Sequence, residues 1–574
     1  MAHFHVKKKN GRPYLYVREI ARVDGRPKVV SQVYIGSPDK VAAMAKGELK
    51  DDLRLKVQQF GALWLSHLID QDMDLAGIIN SVVPRGPREK GPTVGEYFLY
   101  SVWNRMSDAV SKRKLAQWYE RTAVQQLRPV DLKQLTSEQY WRKWDRVTED
   151  QLAEISRRFF TKLCELESPD ADCVLFDTTN YYTFMASQTE SSLAARGHNK
   201  AGRHNLRQVG LGLLVARKSR LPLFYREYQG NLHDSQMFAS VMQEMFEAVG
   251  SLQKTKERLT VVVDKGMNSE DNFLWLDDNP RMHFVTTYSP HYVEELMSVP
   301  LDHFEPVSIE HNERLAQAGY PHEQMLATRT HGEFWGKERT VVVTYNPPTA
   351  RKHAYTLERK LEEIREELLI MRTKVRQEAP HWRDADTIAE RYFRLCENKH
   401  IRSDLFELEF TEEDGLLVMG FRKNAYRVGQ QQDRFGKTVI VTDNMDWTTA
   451  DIVSASLDRW QVEEQFRQSK NDDLVGVQPI RHWTDSKIRC HMFTCVVALT
   501  YLRRLELRLA SAGVNRTAVD VMDDMGHLHS VLLLPAGAKK PRRRLETPSK
   551  TQTEVLLALG WRVNAGGVLQ EIER

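Results

Sequence analysis

Three acidic residues stand where carboxylates gather on a single site: Asp177, Asp264 and Glu463. Asp177 closes the apolar run VLFD and Asp264 the run VVVD, each followed by turn or loop residues. In open α/β sheets the carboxyl ends of strands are where ligand-binding groups collect. Either aspartate alone reads as a turn starter or helix cap; the pair at two strand ends is harder to assign that way. Glu463 belongs to the segment DRWQVEEQFRQSK, in which Ser456, Arg459, Glu463 and Lys470 are spaced by 3, 4 and 7 residues and so share one helical face. Trp460, Val462 and Phe466 supply apolar contacts. On helix geometry alone, Arg459 and Glu463 are a surface i,i+4 pair. Two strand-end aspartates with a helical glutamate can also hold two divalent cations about 3.5–4 Å apart, which suits in-line displacement at a phosphodiester. Such hard oxygen ligands select Mg²⁺ or Mn²⁺, and Arg459 and Lys470 then become phosphate contacts.

The elements that must position these groups follow from periodicity. VLFDTT, VGLGLLVA, LPLFYREY, LTVVVDKG and MHFVTTYS are short apolar or alternating runs. Helical stretches at 235–249 and 269–277 separate the later ones. The pattern predicts a mixed α/β sheet in which an antiparallel meander precedes crossover connections. Residues 291–435 then interrupt the sheet. Within them Leu357, Leu361, Ile364, Leu368, Met371 and Val375 step by 4, 3, 4, 3 and 4, a seam that either closes this block on itself or contacts a second copy. TVIVTD at 438–443 is a last strand, followed by helices at 448–470 and 486–510. The expected domains are a small β-rich module at 1–50, a helical DNA-binding and dimerisation region at 51–168, and a catalytic α/β domain in two parts, 169–290 and 436–510. The 291–435 insertion separates those parts, and a basic linker and tail at 511–574 ends the chain.

With 574 residues, 41% hydrophobic and 28% charged, the chain reads as several soluble globular domains. No run approaches the roughly 18 apolar residues of a membrane span, and the first residues lack a signal-peptide core. Five cysteines without paired spacing argue against a disulfide framework or zinc cluster. The expectation is a cytoplasmic, nucleoid-associated protein with no membrane partner and no small-molecule cofactor. Net charge is +4, but residues 1–50 carry +7 and residues 535–550 carry +5, leaving the remainder at −8. Positive ends are where arms gripping a polyanion would lie. Candidate DNA contacts are Arg105, Lys112, Arg113 and Lys114 in a helical, aromatic-rich segment, and Lys539, Lys540, Arg542, Arg543 and Arg544 in the linker. The first group is equally a packed helix pair with a solvated basic side. Arg203, His204 and Arg207 form a basic turn before the second strand, and Asp234 reads as a helix cap.

The order of strand Asp, strand Asp, long insertion and helical Glu resembles the DDE transposases of bacterial insertion sequences. Arg459, Glu463 and Lys470 match that group's signature Tyr-x-x-Arg-x-x-x-Glu-x-x-x-x-x-x-Lys, with Ser456 at the Tyr position. DTTNYYTF, YREYQGNLHDSQMF, DKGMNSEDN and the VQPIRHW stretch before His491 match it too. Within the insertion sequence four group, the chain is most similar to the branch named for insertion sequence sixteen-thirty-four. The resemblance implies a ribonuclease-H-like catalytic fold, Asp177, Asp264 and Glu463 as catalytic metal ligands, and two Mg²⁺ or Mn²⁺ ions. It implies cut-and-paste transposition by a homodimer that pairs double-stranded terminal repeats and joins them to target DNA. Some relatives stack a flipped base on an insertion tryptophan, a role open here to Trp335, Trp382 and Trp447. A nuclease with the same site, or an inactive DNA-binding descendant, are the alternatives.

Overall fold

VLFD does not stop at its aspartate. The β-branched and aromatic residues that follow it, Thr178, Thr179, Tyr181 and Tyr182, favour continued extension, and strand β5 runs from Cys173 to Tyr182. Asp177 therefore sits in mid-strand, where the sequence had suggested a strand end. The computed structural model describes residues 2–9, 11–23, 26–46, 54–170, 172–197, 202–252, 258–289, 293–413, 415–534 and 542–572. They fall into two units, one of Ser66–Leu115 and Asp131–Leu507, the other of Met1–Leu65, Ala116–Val130 and Arg508–Arg574.

The larger unit is built on a mixed nine-stranded sheet. β5 pairs antiparallel with β6 (Gln208–Ala216), and β6 with β7 (Pro222–Gln229), which is the expected meander. Every residue of β6 is buried. At Gly210 an added Cβ would fall 2.2 Å from the Tyr228 ring, so the strand admits no side chain there. β8 (Leu259–Val263) and β9 (Met282–Tyr288) run parallel to β5. They are reached through the helices Asp234–Leu252 and Glu270–Asp277, as crossover connections require.

The intervening block does not break the sheet as the sequence suggested. Strands β10 (Glu305–Pro306), β11 (Leu326–Phe334) and β12 (Lys337–Tyr345) extend it, and β15 (Lys437–Thr442) joins β12 to β9, giving the order β10-β11-β12-β15-β9-β8-β5-β6-β7. The β11–β12 turn holds Trp335 and Gly336 at φ 52° and 72°, a two-residue primed turn. The rest of the block is a second, smaller core. Leu357, Leu361, Ile364, Leu368, Met371 and Val375, on the helix Pro347–Arg376, bury against Ile388, Tyr392, Cys396, Phe406 and Met419. The seam thus closes the block on itself, each Leu or Ile contributing about 1.5–3 kcal/mol of burial. Strands β13 (Phe406–Glu413) and β14 (Leu416–Lys423) form a hairpin over it.

In the same unit, the helix Val94–Ser107 starts on a Thr93/Glu96 capping box and buries every residue except Glu96 and Ser107, so it is a core element with no broad solvated side. The smaller unit holds two three-stranded sheets. β1 (Ala2–Lys9), β2 (Arg12–Val23) and β3 (Arg26–Gly36) form one antiparallel sheet. In the other, β16 (His529–Leu534) pairs with β4 (Arg54–Gln59) and with β17 (Arg542–Leu545). Residues 54–59 were expected to be helical and 542–545 to be linker. Their strand partner β16 lies far off in sequence from β4, beyond any local pattern. Among the described residues, no helix is long and apolar enough to cross a membrane.

Candidate active site

The parallel register of β5 and β8 matches Cys173 with Thr260, Val174 with Val261 and Leu175 with Val262. Carried forward two residues, the same offset sets Asp177 beside Asp264, so the two aspartates occupy equivalent places on neighbouring parallel strands. Asp177 is 8% exposed, and its Oδ1 accepts the Thr178 N–H at 2.7 Å. Asp264 directly follows β8 and opens the short 3-10 turn Lys265–Met267.

Glu463 arrives on a helix that continues from Thr449–Asp458 into Trp460–Ser469 through Arg459, which keeps a helical backbone. Val462 and Phe466 are buried, whereas Trp460 is half exposed, with the Arg220 guanidinium 5.0 Å from its ring. Lys470 Nζ donates to Thr179 Oγ1 at 2.9 Å, and Tyr181 Oη and Ser469 Oγ share a hydrogen bond of 2.6 Å. Thr179 and Tyr181 are two and four residues beyond Asp177 and so face the same way. Two polar contacts therefore pin the end of this helix to the face of β5 that carries Asp177.

Arg459 connects the remaining acids. Its Nη1 lies 3.2 Å from Asp264 Oδ1 and its Nη2 3.2 Å from Glu463 Oε1. The i,i+4 pair anticipated from the helix is present, but the same guanidinium also reaches Asp264, just past the end of β8 and 195 positions earlier in sequence. The side chains of Asp264 and Glu463 are 33% and 53% exposed, so the site is open to a large substrate. Among the described residues, no group of three or more His, Cys, Asp or Glu stands close enough to hold a metal ion. The all-oxygen donor set Asp177, Asp264 and Glu463 nonetheless suits a hard divalent cation. Arg459 supplies the positive charge between two of the three. Thr179 and Tyr181 were missed in the sequence; the alternation of DTTNYY was the available signal.

Other expected residues have different roles. Arg105 is buried, and its Nη1 donates to the carbonyls of Val475 and Gly476 at 3.1 and 3.0 Å. Lys112 is buried 5.1 Å from the Trp144 ring centre and 5.6 Å from that of Tyr140, and its Nζ has no hydrogen-bond partner. The expectation that these two face DNA is corrected: both cations are buried, Lys112 against aromatic rings and Arg105 on backbone carbonyls, while Arg113 and Lys114 are exposed. Arg542, Arg543 and Arg544 lie exposed on edge strand β17; Lys539 and Lys540 lie outside the described residues. Arg207 is held by the carbonyls of Thr189 and Ser187, and Arg203 covers the Tyr182 ring. Asp234 begins the helix Asp234–Leu252, and its side chain lies outside the described set. Asp443 binds His283 Nδ1 and the Phe284 N–H, joining β15 to β9. Trp335 stacks on Phe273, with ring centres 3.6 Å apart, and Trp382 is buried under Lys374 and Arg391.

Burial, then the nearby Arg105, lowers the Lys112 pKa well below its usual value, and the neighbouring His482 is pushed down to about 3 by burial, Lys112, Arg105 and Lys487. Desolvating an ammonium costs several kcal/mol, more than the ~2 kcal/mol that a desolvated cation–π contact returns. Lys112→Met is therefore expected to stabilise the protein by about 1–2 kcal/mol at pH 7. A folded-state pKa below the unfolded value of about 10.5 means that stability is lost as pH falls through the folded pKa. The variant should flatten the stability profile over that interval. Urea midpoints of both proteins between pH 7 and 10 check this; a destabilised variant with unchanged slope would show that Lys112 has an anionic partner.

A family described as "Transposase DDE domain" matches residues 170–501, more than half of the chain. No curated protein matches it. Among solved structures, the "Cryo-EM structure of piggyBac transposase synaptic complex with hairpin DNA (SNHP)" is similar over 82% of each chain, at 9% identity and a TM-score of 0.39. A likeness that slight carries no argument.

Proposed function

The chain belongs to the transposase DDE-domain family, and from that premise we propose that it cuts DNA at the ends of a bacterial insertion sequence and joins the freed 3′-hydroxyls to target DNA. The observation that carries this reading is the meeting of Asp264 and Glu463 on Arg459, beside the strand position of Asp177. The strand order β7-β6-β5-β8-β9 supports a ribonuclease-H-like catalytic core, with the chain between β9 and β15 as its insertion. Similarity of motifs favours the branch of insertion sequence sixteen-thirty-four.

Asp177, Asp264 and Glu463 would hold divalent cations, Mg²⁺ or Mn²⁺ and two per site, which supply Lewis-acid activation of the attacking oxygen and neutralise charge at the phosphate. Arg459, drawn from the carboxylates toward a phosphate, becomes a charge-assisted donor to it. Lys470, anchored on Thr179, holds the helix in place and presents a second cation to the DNA backbone. Arg113, Lys114 and the arginines of β17 are the proposed contacts to more distant phosphates. The working form is a homodimer pairing two ends in the nucleoid.

Incubating the full chain with duplex carrying the element's own ends, in Mg²⁺, Mn²⁺ or EDTA, tests this. Metal-dependent nicks at the ends followed by joined products are expected. Nicks without joining would indicate a nuclease, and binding without nicks in either metal an inactive descendant.

A further inference from the structure

The sheet β1–β3 has two unlike faces. Residues paired across antiparallel strands point the same way, so the registers His3↔Arg18, His5↔Tyr16, Lys7↔Tyr14 and Tyr16↔Tyr34 define one face. It carries Lys7, Arg12 and Arg18 together with His3 and His5. Between these cations Tyr34 lies 5.9 Å from Tyr14 and 5.3 Å from Tyr16, ring centre to ring centre. Arg18 Nε donates to Gln32 Oε1 at 3.0 Å on the same face. The opposite face holds Phe4, Val17 and Val33 in one row and Val6 and Leu15 in the next, with Lys8, Arg26 and Lys28 toward its ends and Glu19 among them. Glu19 is the lone acid among the described residues of these three strands. The cationic face thus contains no carboxylate to neutralise it. The pKa of His5 is lowered first by desolvation and then by Arg18, His3 and Lys7, and the second part is consistent with concentrated positive potential there.

We propose that this face is a docking surface for duplex DNA, seated against the major groove with Lys7, Arg12 and Arg18 on phosphates and the tyrosines toward the groove floor. The inference rests on the transposase reading for the choice of DNA. Charge complementarity selects a polyanion, and width favours a duplex. Three strands spaced about 4.8 Å apart span roughly 10 Å, close to the roughly 12 Å of the major groove. β3 is exposed along almost its whole length, so the backbone ladder is open to close approach.

The test compares two triple variants of the full chain that remove equal charge. Lys7→Gln, Arg12→Gln and Arg18→Gln strip the proposed face; Lys8→Gln, Arg26→Gln and Lys28→Gln strip the other. Binding to a fluorescein-labelled 30-base-pair duplex bearing one element end is followed by anisotropy across salt concentrations. The first triple should weaken binding at least about 30-fold in 0.1 M salt and lower the slope of log K against log salt by about 2 to 3. The second should change affinity less than about threefold. Equal losses in both triples, no loss in the first, or tighter binding of single-stranded RNA than of duplex by wild type would overturn the proposal. Cleavage by the same proteins separates the two readings. Normal duplex binding by the first triple, with cutting still dependent on Glu463, removes the docking surface and leaves the transposase. Face-dependent binding without cutting in either metal removes the transposase.

Discussion

Asp177→Asn, Asp264→Asn and Glu463→Gln are each expected to reduce end cleavage by about 10³-fold or more, while duplex binding changes less than threefold. The size follows from the role. Groups that jointly neutralise a developing phosphate transition state act as a unit, so removing one loses most of what the set supplies. Folding should survive. Glu463 is exposed and Asp264 partly so, and the two are joined through Arg459; such solvent-accessible ion pairs are worth about 0–1 kcal/mol. Asn preserves the shape of buried Asp177 and its acceptance of the Thr178 N–H. Single-turnover cleavage with metal in excess, beside anisotropy on the same duplex, gives both quantities. Parallel loss of binding in all three with normal unfolding transitions would show that these acids shape a DNA surface and not a reaction centre.

Ser456→Tyr is the reverse probe. Ser456 holds the position of the signature's Tyr and stands one turn before Arg459 on the same helical face. A gain in cleavage would mark the serine as a lesion, and a loss would mean that the site is built around the smaller side chain.

The three candidate acids were easier to pick out of the sequence than their surroundings. Asp264 was placed correctly, because VVVD is followed at once by Lys-Gly and a turn. Asp177 was put at a strand end because Thr-Thr-Asn resembles a turn, yet the tyrosines beyond it pair with β6 through Tyr182. The register that sets Asp177 beside Asp264 joins segments 87 residues apart, and no local period encodes it. Arg105 and Lys112 looked like a basic surface for a related reason. Periodicity reports which residues share a face but not what covers that face, and here the rings of Tyr140 and Trp144 cover Lys112 while the carbonyls of Val475 and Gly476 hold Arg105. The heptad seam from Leu357 to Val375 was readable to the residue, because its partners are its own neighbours.

The largest stability effect should come from a residue that the sequence hid inside an apolar helix. Arg504, on the helix Asp485–Ser511, is 1% exposed. Its Nε donates to Glu167 at 2.6 Å and its Nη1 to the Ile69 carbonyl at 2.9 Å, while Tyr501, one turn earlier, donates to Asp70 at 2.6 Å. One guanidinium thus satisfies a carboxylate and a backbone carbonyl that water reaches poorly. Arg504→Met keeps the length of the side chain and abandons both acceptors, and removing one partner of a buried pair costs about 3–5 kcal/mol. Arg365→Met makes the same chemical change at an exposed pair with Glu362 and should cost less than about 1 kcal/mol. Chemical denaturation of the two variants beside wild type compares burial with chemistry held constant. Equal, small losses would mean that Glu167 regains water when Arg504 leaves; a loss confined to Arg504→Met would identify this buried arginine as the tie between the helix and the carbonyl end of Gly61–Met73.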